Sequence, residues 1–112
     1  SCPNSIAQAA ALEALKCSTQ GMISEFDKRR RYIVKRLAEI GMHLIEPKGA
    51  FYVFPEVPSS SVDFANQLLE KGVAVVPGKD FGSDRHVRIS YATSMKNIEE
   101  GMNRLENFVK KL

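Results

Sequence analysis

The sequence contains no tryptophan, only two cysteines and no long apolar run. Two cysteines are too few for the disulfide framework of a small secreted domain. A membrane-spanning helix needs roughly 20 consecutive apolar residues, and a signal segment needs a charged and then an apolar stretch. We therefore expect neither a membrane protein nor a disulfide-rich one, and we predict a reducing, cytoplasmic setting.

Motifs for metal or nucleotide binding are also missing. The candidate zinc ligands lack metal-like spacing; they are Cys2, Cys17, His43 and His86. The segment between Gly78 and Gly82 has the wrong spacing for a Walker or dinucleotide-binding loop. No nucleophilic triad can be assembled from the sequence. We predict no metal site in this chain.

The remaining composition is typical of one soluble globular domain. Of the 112 residues, 44% are hydrophobic and 26% are charged, and a chain of this size can bury roughly two thirds of its unfolded surface. The net charge of +3 is owed largely to the basic run at residues 28–31. Acidic residues lie close to this run within a helical pattern, so we interpret it as a solvated helix face. The first residues are Ser-Cys-Pro rather than Met, which suggests a processed or excised piece.

Apolar spacing and terminal residues predict four helices and about four strands. The first helix follows a capping box that begins at Ser5, the second ends at Gly41, and Ser94 caps the last. The predicted helices cover residues 5–15, 22–40, 62–71 and the segment after Ser94. The predicted strands cover residues 43–46, 50–54, 73–76 and a segment that contains Arg88, with residues 73–76 as a buried strand.

This order predicts an α/β fold of the α+β type, in which a small sheet of about four strands has helices packed on one face. We treat residues 1–112 as a single domain. Residues 42–112 form its β-β-α-β-β-α body, and residues 1–40 form a helical connector to something outside the chain.

Arg88 is the residue that most needs an explanation. Alternation sends Val87, Ile89 and Tyr91 to one face of the predicted strand and Arg88 to the other. An exposed Arg88 is one interpretation. The other is that its guanidinium binds an anion.

A second signal lies in residues 48–56, KGAFYVFPE. A basic residue and glycine followed by alternating aromatic residues resemble the RNP1 strand of RNA-recognition motifs. Ala50 stands where that pattern needs an aromatic residue, and Phe51 stands where it needs a small one. Tyr52 and Phe54 could still stack on bases, so RNA binding remains an alternative.

Five segments in order resemble one enzyme family over nearly the whole chain. They are SIAQ with AALEAL at residues 5–15, RR at 29–30, P-x-GAFY at 47–52, GVAVVPG with FG at 72–82, and VRIS at 87–90. The order resembles the C-terminal part of class I aminotransferases, the fold-type I pyridoxal-phosphate enzymes typified by aspartate aminotransferase.

The resemblance implies roles for individual residues. Arg88 matches the arginine that binds the α-carboxylate of the amino or oxo acid, a task that suits a planar guanidinium with two parallel hydrogen bonds. Phe51 matches an aromatic residue of the substrate pocket, and Gly49 lets the backbone pass close to the ligand. Ser1 and Cys2 match a stretch that approaches the active site of the partner subunit.

The resemblance also implies what this chain lacks. The family's cofactor, pyridoxal 5'-phosphate, is bound by a large domain whose lysine lies upstream of Ser1, and no Ser-Lys pair occurs here. We therefore expect a homodimeric transaminase when the protein is full length and an inactive fragment by itself. The expected substrates are an amino acid, either aspartate or a broad range, and a 2-oxo acid, with no nucleic-acid or membrane partner. A free-standing, non-enzymatic interaction or amino-acid-sensing module is the main alternative.

Overall fold

The computed structural model describes residues 2–112, which form four α-helices, three β-strands and one short 3₁₀ turn. The helices are α1 (Ser5–Ala14), α2 (Gln20–Ile40), α3 (Ser61–Glu70) and α4 (Met95–Val109). The strands are β1 (Tyr52–Val53), β2 (Val76–Pro77) and β3 (Val87–Ser90), and the 3₁₀ turn is Gly78–Phe81. The predicted class, a small sheet with helices packed on it, is confirmed.

The sheet is antiparallel, and β3 is its central strand. β1 pairs with β3 so that Tyr52 lies opposite Ser90, and an isolated bridge between Glu56 and His86 continues the same register. β2 pairs with the other edge of β3. The strand that contains Arg88 is therefore paired on both sides, which fixes the direction of its side chains.

One apolar cluster joins α2, α3 and α4 to the inner face of the sheet. Helices α2 and α4 pack side by side, and an ion pair of 2.8 Å between Arg36 and Glu106 links them at the edge of the core. The most buried side chains of the cluster are Ile33, Leu37, Val53, Val57, Phe64, Leu68, Val87, Tyr91 and Leu105. Because Ile33 and Leu37 belong to it, the second half of α2 is part of the folded body.

The helix ends follow local rules, with one correction. Gly41 has a left-handed φ of 87° at the end of α2, and the Ser94 side chain accepts from the amide of Asn97, as expected for the two termini. At α1, however, the N-cap is Asn4 rather than Ser5. Asn4 has an extended backbone and its Oδ1 accepts from the Ala7 amide at 2.7 Å, so Ser5 is already helical.

Two strand predictions were wrong. Residues 43–46 form no strand, because their backbone contact with the neighbouring segment is a bond of 2.7 Å from the Glu56 amide to the His43 carbonyl oxygen, and one such bond does not make a ladder. The buried strand predicted at residues 73–76 is instead the short β2. No described strand pairs with residues 73–75, and the side chains of Ala74 and Val76 are exposed rather than buried.

Helix α1 has no buried residue. The side chain of Ile6 in this helix is 81% exposed, and that of Leu15, the residue that follows the helix, is 84% exposed. The described part of the chain is accordingly elongated, with extents of 52 × 32 × 24 Å. None of its helices combines the length and the apolar character that crossing a membrane requires.

Candidate functional site

The alternation predicted for β3 is confirmed, and it places Arg88 on the face of the sheet away from the core. Val87 is fully buried and Ile89 is 6% exposed, whereas Arg88 between them is only partly buried. Tyr91 is also buried, just beyond the end of the strand. The position of Arg88 therefore follows from the period of the strand.

The guanidinium of Arg88 lies against two aromatic rings. Its Cζ is 4.5 Å from the ring centre of Tyr52 and 4.6 Å from that of Phe81. Both distances are well within the range of about 6 Å at which a cation is attracted to the face of a ring. We call Tyr52 and Phe81 the aromatic pair. Contacts of this kind fix the plane of a guanidinium without using its N–H donors.

Arg88 also differs from the other arginines in its charge partners. Each of the other six forms an ion pair within 4.0 Å with a carboxylate; they are Arg29, Arg30, Arg31, Arg36, Arg85 and Arg104. Within residues 2–112, Arg88 has neither a carboxylate nor a hydrogen-bond acceptor of its own. A partly buried cation loses part of its hydration, and a bound anion can compensate for that loss. A partly buried arginine without a carboxylate partner therefore indicates a binding site for an anion that is not part of this chain.

Two more ring side chains extend the aromatic pair beyond Phe81. Phe54 stacks on the imidazole of His86 at 5.0 Å with an interplanar angle of 11°, and it meets Phe81 edge-on at 6.4 Å. The hydroxyl of Ser83 lies 2.7 Å from Nδ1 of His86. The two rings against the Arg88 guanidinium exclude part of the surrounding water, so an ion pair made by Arg88 is screened less than one in open solvent.

Phe51 and Gly49 lie beside this face. Phe51 is 38% exposed, and its ring centre is 4.5 Å from that of Tyr52, so Phe51, Tyr52 and Arg88 follow one another in space. Both Phe51 and Gly49 line a groove of about 460 Å³ against the start of α2. A Cβ at Gly49 would meet nothing within 4 Å in this chain, so its predicted role toward a ligand stays a prediction.

Sequence reasoning missed that Tyr91 holds the backbone at Ala50 and Phe51 by hydrogen bonds. The Tyr91 hydroxyl donates to the carbonyl oxygen of Ala50 at 3.1 Å, and its amide donates to that of Phe51 at 2.9 Å. Ala50 has a φ of 57°, which is uncommon for a residue with a Cβ. Burial raises the pKa of the Tyr91 phenol. The available signal was that Tyr91 continues the alternation of β3 into the core.

Sequence reasoning also missed the support of the 3₁₀ turn. Ser61, which is fully buried, donates from its hydroxyl to Asp84 at 2.8 Å and accepts from the Lys79 amide at 3.2 Å. The hydrogen bond from the Ser61 hydroxyl, and after it the one from the Ser61 amide, lower the pKa of Asp84. At Gly78, a Cβ would lie 2.3 Å from the His86 carbonyl oxygen. Glycine is required there because two backbone segments approach closely.

The other predicted positions have separate outcomes. Ser1 lies outside the described residues, and Cys2 is an exposed free thiol, as is Cys17. The basic run is a helix face of ion pairs, in which the guanidinium groups of Arg30 and Arg31 lower the pKa of Asp27. Within residues 2–112 there is no group of three potential metal ligands.

The residues of this site do not fit pyridoxal phosphate by themselves. Binding of that cofactor requires an amine for its aldehyde and a set of donors for its phosphate. The groups against Arg88 are instead the rings of Tyr52 and Phe81, and Phe81 in turn meets Phe54, which stacks on His86. A single guanidinium among aromatic groups suits a carboxylate, and the cofactor needs residues beyond these.

Comparison with known proteins gives a consistent result. The family model for aminotransferases of class I and II matches residues 1–105. The chain is 43% identical over 110 residues to an aspartate aminotransferase of Thermotoga maritima, covering 97% of this chain and 29% of that protein. It is 44% identical over 113 residues to a (5-formylfuran-3-yl)methyl phosphate transaminase of Methanocaldococcus jannaschii, covering 95% and 30%.

Solved structures agree with these relatives. The chain matches the crystal structure of the Thermotoga maritima aspartate aminotransferase with a TM-score of 0.95 at 42% identity, covering 98% of this chain and 30% of that one. It matches an aromatic aminotransferase of Pyrococcus horikoshii with a TM-score of 0.91 at 42% identity, covering 98% and 32%. The chain thus spans about 30% of the length of the relatives it matches.

Proposed function

The chain belongs to the aminotransferases of class I and II, and on that premise we propose that it is the C-terminal part of a longer transaminase. The full-length protein transfers an amino group between an amino acid and a 2-oxo acid. The names of the relatives and the share of their length that the chain spans support this proposal. Because aspartate aminotransferases are among the relatives, we propose aspartate, or a broad range of amino acids that includes it, as the substrate.

In this proposal Arg88 binds the α-carboxylate of the substrate. The observation that carries it is that Arg88 is the one arginine of residues 2–112 that has no carboxylate partner, although it is partly buried. A guanidinium presents two parallel N–H donors to a carboxylate and keeps its proton at any physiological pH. Fixing the carboxylate in this way also fixes the direction of the bonds at the substrate Cα.

Phe51 and Gly49 complete the substrate side of the proposed site. Phe51 is exposed beside Tyr52, so its ring can cover the substrate side chain while Arg88 holds the carboxylate. At Gly49 nothing in this chain occupies the space that a Cβ would fill, which leaves room for a ligand close to the backbone.

Pyridoxal 5'-phosphate, which supplies the electron sink for amino transfer when bound, is held in this proposal by residues outside the chain. The 112-residue chain is then inactive by itself. We also propose a homodimer in which Ser1 and Cys2 lie near the site of the partner subunit. The exposed α1 and the first turns of α2 connect to the large domain, which agrees with the absence of buried residues in α1.

The test is amino transfer by the full-length protein, assayed with L-aspartate and 2-oxoglutarate. Arg88→Lys keeps the charge but removes the paired donors, so kcat/KM should fall about tenfold or more, which corresponds to about 1.4 kcal/mol or more. Arg85→Lys is the matched control, because Arg85 lies three residues away and is paired with Glu56. A change of less than about twofold in Arg88→Lys would show that Arg88 does not bind the carboxylate.

A further inference from the structure

Phe81 is an exposed aromatic residue in a fixed position. It is the last residue of the 3₁₀ turn and is 51% exposed, so burial of its ring does not account for its place. The ring lies against the guanidinium of Arg88, whose Cζ is 4.6 Å from the ring centre, and Phe54 meets it edge-on. The ring of Phe81 is thus placed against a cation rather than in the core.

The backbone that carries Phe81 is held by contacts that do not involve its ring. The amide of Gly78 donates to the His86 carbonyl oxygen at 2.8 Å, and the amide of Ser83 donates to the Gly78 carbonyl oxygen at 2.9 Å. The buried Ser61 hydroxyl accepts from the amide of Lys79. The turn is thus bonded to His86, which precedes β3, and to the start of α3, so the fold sets the backbone at Phe81 relative to Arg88.

Tyr52 provides the second contact from the opposite edge of the sheet. β1 pairs with β3, and the Tyr52 ring centre lies 4.5 Å from the guanidinium carbon of Arg88. An arginine side chain has several rotatable bonds, and fixing it costs conformational entropy. Two aromatic contacts that leave its N–H groups unused reduce that cost before a carboxylate arrives.

We propose that Phe81 is a positioning residue, which with Tyr52 holds the guanidinium of Arg88 in the orientation that receives a carboxylate. Phe81 has no polar group of its own, and it acts through Arg88 alone. The inference rests on the proposed function, because the carboxylate is that of the amino or oxo acid. What is new is that the affinity for the carboxylate depends on the ring of Phe81, which acts on the carboxylate only through Arg88.

The kinetic test uses the full-length protein with its cofactor. Phe81→Leu removes the ring and keeps an apolar side chain, so the KM values for L-aspartate and 2-oxoglutarate should both rise, by roughly fivefold, while kcat changes by less than about twofold. The inhibition constant of maleate, a dicarboxylate without an amino or oxo group, should rise in parallel. Phe81→Tyr, which restores the ring, should restore the KM values. Leu69→Ala on α3 alters another exposed apolar side chain and should change nothing.

A second measurement does not depend on activity. In protein labelled with [¹⁵N]arginine, the Nε–Hε cross-peak of Arg88, identified by its loss in Arg88→Lys, should show a ring-current shift that decreases in Phe81→Leu and stays in Leu69→Ala. A cross-peak that does not move in Phe81→Leu would overturn the proposal, as would unchanged KM values or a fall in kcat alone.

The outcomes also separate this proposal from the proposed function. If Arg88→Lys impairs substrate binding and Phe81→Leu does not, Arg88 binds the carboxylate without help from Phe81. If the full-length protein transfers no amino group, the proposed function is wrong, and the cross-peak still decides whether Phe81 positions Arg88.

Discussion

The hydroxyl of Tyr91 donates a hydrogen bond of 3.1 Å to the carbonyl oxygen of Ala50, 41 residues earlier in the chain. The amide of Tyr91 also donates to the carbonyl oxygen of Phe51 at 2.9 Å. One buried residue at the end of β3 thus holds the backbone that precedes Tyr52, and Tyr52 contacts Arg88. Support for the candidate site therefore begins in the core.

Tyr91→Phe should lower the free energy of unfolding of the purified 112-residue chain by about 0.5–1.5 kcal/mol, because one hydrogen bond is lost and the ring stays in place. Urea denaturation measures the change. Tyr32→Phe is the control, since the Tyr32 hydroxyl has no hydrogen-bond partner within residues 2–112. Equal effects of the two substitutions would mean that the Tyr91 bond contributes nothing to stability.

Ala50→Gly should stabilise the chain. The left-handed backbone at Ala50, with a φ of 57°, costs a residue with a Cβ roughly 1–2 kcal/mol, while glycine costs about 0.5–1 kcal/mol through its larger unfolded-state entropy. The expected net gain is about 0.5–1 kcal/mol by urea denaturation. Ala38→Gly is the matched control, because Ala38 lies within α2 and has a helical backbone. This substitution should lower the free energy of unfolding by about 1 kcal/mol. A loss in Ala50→Gly would contradict the strain argument.

Gly78→Ala should destabilise the chain by more than about 2 kcal/mol, because the new Cβ would lie 2.3 Å from the His86 carbonyl oxygen and 2.4 Å from that of Ser83. Both neighbours are backbone atoms and cannot rotate away. At Gly101 within α4, an added Cβ would meet no atom within 4 Å. Gly101→Ala should therefore raise the free energy of unfolding by up to about 1 kcal/mol. Thermal or urea unfolding of the two variants compares them directly, and a neutral Gly78→Ala would refute the close approach.

Glu106 should make the stability of the chain sensitive to acid. Lys110, and after it Arg36, lower the pKa of the Glu106 carboxyl from 4.5 to about 2. The folded state therefore binds this proton less readily than the unfolded state. The stabilisation is present above about pH 4.5 and is lost as the pH falls toward about 2.

Glu106→Gln should remove this part of the pH dependence, seen as a shallower fall of the urea midpoint in that acid range. Glu99→Gln is the control, because Glu99 is exposed and has no ion pair within residues 2–112. If Glu106→Gln lost stability as steeply as the wild-type chain, another carboxylate would be responsible.

Predictions from local pattern were reliable where a single period governs many residues. Ile33 and Leu37 on α2 and Ile98, Met102 and Leu105 on α4 are buried as the helical spacing requires. Short segments were less predictable. Residues 43–46 have the composition of a strand and form none, because a strand needs a partner segment and its own sequence cannot show whether one is present.

The sequence by itself determined which way Arg88 points, because alternation in a strand is a property of the backbone. It also carried the family resemblance, through motifs that are contiguous in the chain. Only the tertiary structure decided that Arg88 has no acidic partner among the described residues and that Tyr52 and Phe81 are its neighbours. Those contacts join residues from separate segments, and which segments meet depends on how the whole core packs rather than on any local period.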